Sequence, residues 1–386
     1  MLGAAGYLVG AVALGAVLAV VGCGSWRVRE ALLPGWQGAI ARLAELVIGL
    51  FVVLTTAQVL GAIGAFDRVP VLAAELAVGA ALYAGAGRPR PRQSAVVSPA
   101  APVLGRVELA GAALGVGLVV VQWATHVAYA LSKGMTYSDT MWYHQPFAAR
   151  FVQHHSFSAL DGVGLEAARR YPLSSPLLHA LGMLAFNRDI VSPFINLGWL
   201  LLALLAAWCI GRRSGLGHVC TLGAAVAVGL PILTATQPGQ ASSDVAAVAL
   251  FLAAVALLLE SDLQPAPTAI GGLALGMALS MKITVAAPAA VLALGVVALA
   301  WRARRLSAVL WMCALGASGS FWFLRNWWLV GSPVPWFDVR LGPLHLRVHE
   351  AASAVASGQP SLAHGIANTD VWPDFYLDAL WRGFGR

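Results

Sequence analysis

Charge is what this sequence has least of: 11% of its 386 residues are Asp, Glu, Lys or Arg. A soluble chain of that length covers its exterior largely with such side chains, so a water-facing globule is excluded. Cysteine is scarce too. Cys23, Cys209, Cys220 and Cys313 fall inside or at the ends of apolar runs, and none forms a C-x-x-C pair. Neither a metal site nor a disulfide framework is indicated. No basic region precedes the first apolar run, GYLVGAVALGAVLAVVGC, and Arg27 and Arg29 come after it. That order marks a first membrane span rather than a cleaved signal. The alternation of apolar and polar residues that a membrane β-barrel requires is also missing.

What is present is hydrophobic. Apolar residues make up 59% of the chain, and mean hydropathy is +0.77. In lipid only helices and closed barrels satisfy the backbone, so the fold expected is all-α: a polytopic transmembrane helical protein. Candidate spans run roughly over 5–23, 40–62, 69–85, 108–131, 191–210, 219–235, 244–260, 268–284, 286–301 and 306–329, most near the ~20 residues a bilayer needs. The formal charge of +7 sits in short connectors, where topology and anionic headgroups account for it without nucleic acid.

The positive-inside rule orients these ten spans. Arg27, Arg29 and Arg42 flank the first connector, and Arg88, Arg90, Arg92 and Arg106 fill the Pro-rich third. Arg212 and Arg213 follow span five, and WRARR (Trp301 to Arg305) follows span nine. All four clusters share one side if the N-terminus is outside, which makes the protein a multi-pass plasma-membrane protein. Residues 132–190 then form an extracytoplasmic loop, on the same side as TQPGQASSD (Thr236 to Asp244). The division expected is a three-span extension over 1–107 and a transmembrane core over 108–386 whose C-terminus reads as truncated.

The outer loop holds the densest set of ionisable and aromatic side chains, MTYSDTMWYHQPFAARFVQHHS (Met135 to Ser156). Pro146 suits the first turn of a helix. Phe147, Phe151 and the stem of His155, with Ala148 and Val152, make one apolar stripe on a short helix along the interface. Beyond Pro172 and Pro176, Leu177 to Phe186 reads as a second short apolar helix, re-entrant or at the surface. Asp139, just past span four, could serve as a general base toward a hydroxyl or simply cap the next helix. Tyr143 and His144 lie one turn on and could share its pocket. Asp244 opens span seven and carries the same two readings. Asp161, Glu166 and Asp189 are plausible second acids. His154 and His155 point to different faces and read as surface residues, and Trp142 as a headgroup anchor. Lys282 and Arg325 lie near the outer ends of their spans; there they either snorkel to headgroups or bind a phosphate, Arg bidentately and Lys as a point charge. Glu75 and His126, inside spans three and four, are expected to be paired internally.

The order of these features carries a resemblance. A loop Asp, Y-H-x-P with an amphipathic helix, Y-P before a second juxtamembrane helix, a loop ending in Asp244, GLALGMALSMKIT and FLRNWWLVGSPVPWF follow one another. This resembles the GT-C class of membrane glycosyltransferases, in particular the bacterial branch related to protein O-mannosyltransferases and lipid A aminoarabinose transferases (glycosyltransferase family 39-like), over roughly residues 108–340. The resemblance implies a polyprenyl-phosphate-linked sugar donor, a lipid, polysaccharide or protein acceptor, and an essential loop aspartate, which would be Asp139. Tyr143, His144, Asp244, Lys282 and Arg325 are then substrate-binding, with no cofactor, and a divalent metal is not indicated. Many relatives place the catalytic loop after their first span, whereas here three extra spans precede it, and Asp139 lacks the paired acid some of them carry. The rival reading is a transporter or flippase of lipid-linked glycans, which predicts internal repeats and mid-membrane charges; no convincing repeat is visible. The orientation is testable with a reporter enzyme active only outside the cytoplasm. Fused after Ser156 it is expected to be active, and after Arg213 inactive; the opposite pattern would invert the topology.

Overall fold

The computed structural model describes residues 3–87, 106–158, 160, 162–163, 166–337, 339–341 and 344–346. Arg88, Arg90 and Arg92 of the basic connector, and Asp161, lie outside the described residues, as does the side chain of Glu166. About 80% of the described residues are helical. Its α-helices are α1 Ala4–Leu32, α2 Ala39–Ala62, α3 Arg68–Gly85, α4 Arg106–Lys133, α5 Gln145–His154, α6 Ser174–Phe186, α7 Ser192–Arg212, α8 Gly217–Val228, α9 Pro231–Thr234, α10 Asp244–Ser261, α11 Pro265–Met281, α12 Ala286–Ala303, α13 Arg305–Gly319 and α14 Phe321–Val330. A π-helical turn, Thr140–His144, leads into α5, and a short antiparallel hairpin (β1 Val339–Leu341, β2 Leu344–Leu346) follows α14.

Seven helical segments among the described residues are long and apolar enough to cross a membrane, or eight if α13 and α14, bent by 59°, form one span. Their outward faces are apolar: Leu118 is 63%, Val121 62% and Leu294 69% exposed. A face of that kind suits hydrocarbon rather than water. This is an all-α, membrane-embedded protein. Two of the ten expected spans correspond to shorter apolar helices: α8 has 12 residues and α11 has 17.

Small residues let the helices approach. On α11, Gly272 and Gly276 recur at a spacing of four and face α13. A Cβ at Gly272 would lie 2.7 Å from the Trp311 carbonyl, and one at Gly276 would run into the Leu315 carbonyl. Gly24 of α1 crosses Gly79 of α3 in the same way. Close backbone approach is the usual basis of helix packing in lipid, where tails compete equally for apolar surface. Helix α2 joins the main core with Leu43, Ala44, Val47 and Ala57, all fully buried. Polar pins supplement this packing. Ser174 of α6 accepts hydrogen bonds from Gln58 Nε2 of α2 (3.2 Å) and from Trp322 Nε1 of α14 (2.8 Å).

The two short helices differ from expectation in what they cover. Helix α5 does start with Pro146 in its first turn. Its stripe of Phe147, Ala148 and Phe151 is fully buried in protein rather than laid along a membrane surface, with Phe151 4.6 Å from Phe157 and stacked 6.2 Å from Trp322. His155 is not on that stripe: it ends the helix in a left-handed conformation, φ 57°. Helix α6 buries Leu177, His179 and Ala180 completely. Both helices are interior parts that wedge the segment between α4 and α7 into the bundle. Replacing Gly276 by Val is expected to force α11 and α13 apart and cost about 1–3 kcal/mol. A lowered thermal unfolding midpoint in detergent would register this, and an unchanged midpoint would show that the crossing tolerates bulk.

Candidate functional site

The site forms where helices stop short. Helix α8 ends at Val228, α9 adds a single turn, and residues 235–243 run into the bundle as irregular chain before α10 begins. Gln237, Ala241, Ser242 and Ser243 on that stretch are nearly or fully buried. Irregular backbone at such depth needs partners from the protein itself, and Asn196 of α7 supplies them. Its side-chain amide donates to the carbonyls of Gln237 (2.8 Å), Gln240 (3.1 Å) and Ser242 (3.0 Å). Gly239 has φ +70°, and a Cβ there would lie 2.6 Å from the His126 carbonyl of α4. Only glycine lets the loop press this closely on α4.

This loop in turn grips the segment after α4. Gln240 Oε1 accepts from the backbone amides of Thr136 and Tyr137, each at 3.1 Å, and Thr140 Oγ1 accepts from the Ala241 amide at 3.0 Å. Asp139, at the head of the π-helical turn, is thereby brought beside Asp244, the first residue of α10. The wide turn is itself informative, because π-bulges gather at functional sites.

Neither aspartate acts as a helix cap. The Asp139 side chain makes no capping hydrogen bond and instead accepts from Tyr143 Oη at 3.3 Å. The Asp244 carboxylate forms an ion pair with Lys282 Nζ and accepts from Gln237 Nε2 at 3.0 Å. Lys282 sits in extended backbone between α11 and the turn Ile283–Val285, so its cation projects from a helix end. Three tyrosines complete the group. Burial raises the Tyr143 phenol above its ordinary range, with Asp139 and Asp244 adding to the effect. Burial and Asp139 raise Tyr171, and burial, Asp139 and Asp244 raise Tyr137. Tyr143 meets Tyr171 edge-on at 6.4 Å. All three therefore stay neutral phenols at physiological pH, able to donate hydrogen bonds.

His144 is 4% exposed and packs on Tyr143 at 4.2 Å between ring centres. Burial, with His179 and Lys282 nearby, holds its imidazole well below the usual histidine value, so it is neutral at pH 7.

Of the residues expected to share a site, Asp139, Tyr143, His144, Asp244 and Lys282 do come together. Arg325 bonds to a different set of residues. One of its guanidinium nitrogens, Nη2, donates to the Arg169 carbonyl and to Asn326 Oδ1 (3.1 Å), and the group lies 5.0 Å over the Trp322 ring. Asn326 Nδ2 donates to the Arg170 carbonyl at 2.7 Å. Arg325 and Asn326 thus brace the turn that presents Tyr171. Glu75 and His126 are not the internal pair expected: neither Glu75 carboxylate oxygen has a partner, and His126 Nδ1 lies 2.9 Å from the Gln122 carbonyl of its own helix. Tyr137, Tyr171, Gln237, Gln240 and Asn196 were not singled out from sequence. The signal available for Asn196 was a lone amide inside an apolar run. His154 and His155 are exposed, as expected of surface residues.

Compared with protein-family models, curated proteins and solved structures, the chain matches none.

A pH test follows from His144. Its folded value lies below the unfolded value of 6.5, so below about pH 6.5 the unfolded chain binds the extra proton and folding stability falls. His144→Asn is expected to flatten the loss of thermal midpoint between pH 7 and pH 5. An unaltered slope would mean that His144 does not titrate in that way.

Proposed function

We propose that the protein is a membrane glycosyltransferase resembling the GT-C class, moving a sugar from a polyprenyl-phosphate donor to an acceptor hydroxyl on the extracytoplasmic side. The observation that supports this most is the meeting of Asp139, the Asp244–Lys282 pair and three neutral tyrosines at the broken ends of helices. A carboxylate, a cation and phenolic donors at the edge of membrane-spanning helices suit a substrate with a lipid tail and a polar head. On this reading α8 with α9 and α11 count as two further spans, making ten, and the positive clusters lie in the cytoplasm.

The chemistry balances without a metal. Asp139 takes the proton of the acceptor hydroxyl, and the acceptor oxygen forms a bond to the anomeric carbon. The bond from that carbon to the phosphate oxygen breaks, the polyprenyl phosphate leaves with the electron pair, and the anomeric configuration inverts. Tyr143 donates to one Asp139 oxygen and leaves the other for the acceptor. Lys282 has three donors and Asp244 uses one, so two remain for the leaving phosphate, where fixed donors stabilise developing charge. His144, being neutral, contributes an N–H or a lone pair rather than a positive charge. Arg325 enters this reading as a brace of the Arg169–Tyr171 turn.

A second reading, a transporter of lipid-linked glycans, draws on Glu75, a buried acid within a span of the kind transport proteins use. Membranes incubated with radiolabelled polyprenyl-phosphate sugars separate the two. Transfer of label to an acceptor is expected for the wild type, with a loss of about 10²–10⁴-fold in Asp139→Asn, the usual worth of a general base. Full transfer by Asp139→Asn would remove the base assignment. Label that crosses the bilayer still attached to its lipid would favour transport.

A further inference from the structure

A second feature lies away from this site. Helices α1, α2, α3, α6 and α7 enclose a cavity of about 660 Å³, within the ~300–1,000 Å³ typical of ligand sites. Its walls are almost wholly apolar, with Leu14, Leu46, Leu50 and Phe194 among them. Two polar residues interrupt the lining, Arg68 and Glu75, both on α3. They are seven residues apart, so they share a face, with Val71 and Leu72 of the same lining between them. At 1.5 Å per residue they stand ~10 Å apart along the helix axis.

Glu75 is 1% exposed, and both its carboxyl oxygens lack any hydrogen-bond partner. A buried polar group left in that state costs free energy. Inside a membrane span the cost is higher still, and such groups mark functional positions. Arg68 is the first residue of α3 and only half-buried. The adjoining turn is tied to the outer loop: the Phe66 amide donates to the His155 carbonyl at 3.0 Å. The cavity's charged end therefore opens on the face of the bundle that carries Asp139, while its apolar depth extends among the spans.

We propose that this cavity binds one membrane phospholipid, with the phosphate on Arg68, an ester carbonyl accepting the Glu75 carboxyl O–H, and an acyl chain between α1, α2, α6 and α7. The order of groups along α3 selects that occupant. A cation at the membrane edge, then a hydrogen-bonding group about two turns deeper, then only hydrocarbon reproduces the sequence of phosphate, ester and chain in a diacyl lipid. A polyprenyl phosphate shares the phosphate and the chain but has no ester for Glu75. This site is independent of the glycosyltransfer reading and stands or falls apart from it.

The test uses the purified full-length chain in detergent, with dioleoylphosphatidylglycerol, dioleoylphosphatidylcholine or a polyprenyl monophosphate added. Native mass spectrometry is expected to find one retained phospholipid per chain, with thermal unfolding raised by several degrees. Leu72→Trp, which fills the cavity, and Arg68→Gln are expected to reduce retention at least fivefold. Glu75→Leu, which removes the hydrogen bond while keeping the chain's bulk, should weaken retention of phospholipid but leave polyprenyl phosphate unaffected. Equal retention by wild type and by both Leu72→Trp and Arg68→Gln would overturn the site. Retention of polyprenyl phosphate alone would overturn the phospholipid assignment. Should Leu72→Trp fail to fold, Arg68→Gln and Glu75→Leu carry the comparison.

Discussion

One amide, that of Asn196, holds the arrangement on which the rest depends. The stretch before α10 is irregular chain buried inside a helical bundle, and its carbonyls cannot reach water. Three of them converge on Asn196 Nδ2. An unmade hydrogen bond to a buried carbonyl costs about 1–3 kcal/mol, so without the amide this loop would not remain in the interior. With it in place, Gln240 and Ala241 can reach the segment after α4 and fix Asp139 beside α10. Sequence neighbours do not build the site: Asn196, Gln240 and Thr136 belong to three different segments, and the amide makes them one.

The broken helices have a common consequence. Helix α8 stops early, α11 ends at Met281 with Lys282 in extended backbone, and α13 turns sharply into α14. A straight span satisfies its own backbone and exposes only side chains. A span that stops within the bundle places a helix end, with unsatisfied backbone groups and a partial charge, where substrates can meet it. Asp244 begins α10, so its carboxylate sits at the end where the helix dipole is positive. The same interruptions leave room for α5 and α6 to enter from the loop and seal the interior with Phe147, Phe151 and Leu177.

The membrane class was legible because hydrocarbon imposes a long apolar run on every span, and α2, α4, α7 and α10 follow those runs closely. Helix α1 instead runs nine residues past its expected end and carries Arg27 and Arg29 within the helix. The neighbourhood of Asp139, Tyr143 and His144 was legible for the opposite reason, since ionisable side chains stand out in such a background. What composition could not convey was pairing. Lys282 reads as a free cation, yet it lies against Asp244, 38 residues away. Glu75 reads as half of an internal pair, yet its carboxyl has no mate. The stripe on α5 has the spacing of a surface helix, and periodicity shows which face is apolar without showing whether lipid or protein covers it. Arg325 and its role at the Arg169 carbonyl depend on a contact across 156 residues, which no local pattern encodes.

The Asp244–Lys282 pair bears on how the proposed site would take an anionic substrate. With His144 neutral and the tyrosines protonated, Lys282 is the cation among these site residues, and it is paired with Asp244, so the site is no simple attractor for phosphate. A phosphate entering here must share Lys282 with Asp244. Ion pairs with one partner 41% and the other 23% exposed are worth little in water-like surroundings, and such a pair exchanges partners at modest cost. Were phosphate to engage Lys282, Asp244 would be left with the Gln237 amide. Donor binding and the placing of the second carboxylate would thus be a single event. On the proposed reading Asp244 would then differ in role from Asp139, holding Lys282 in place until the substrate's own charge took it over.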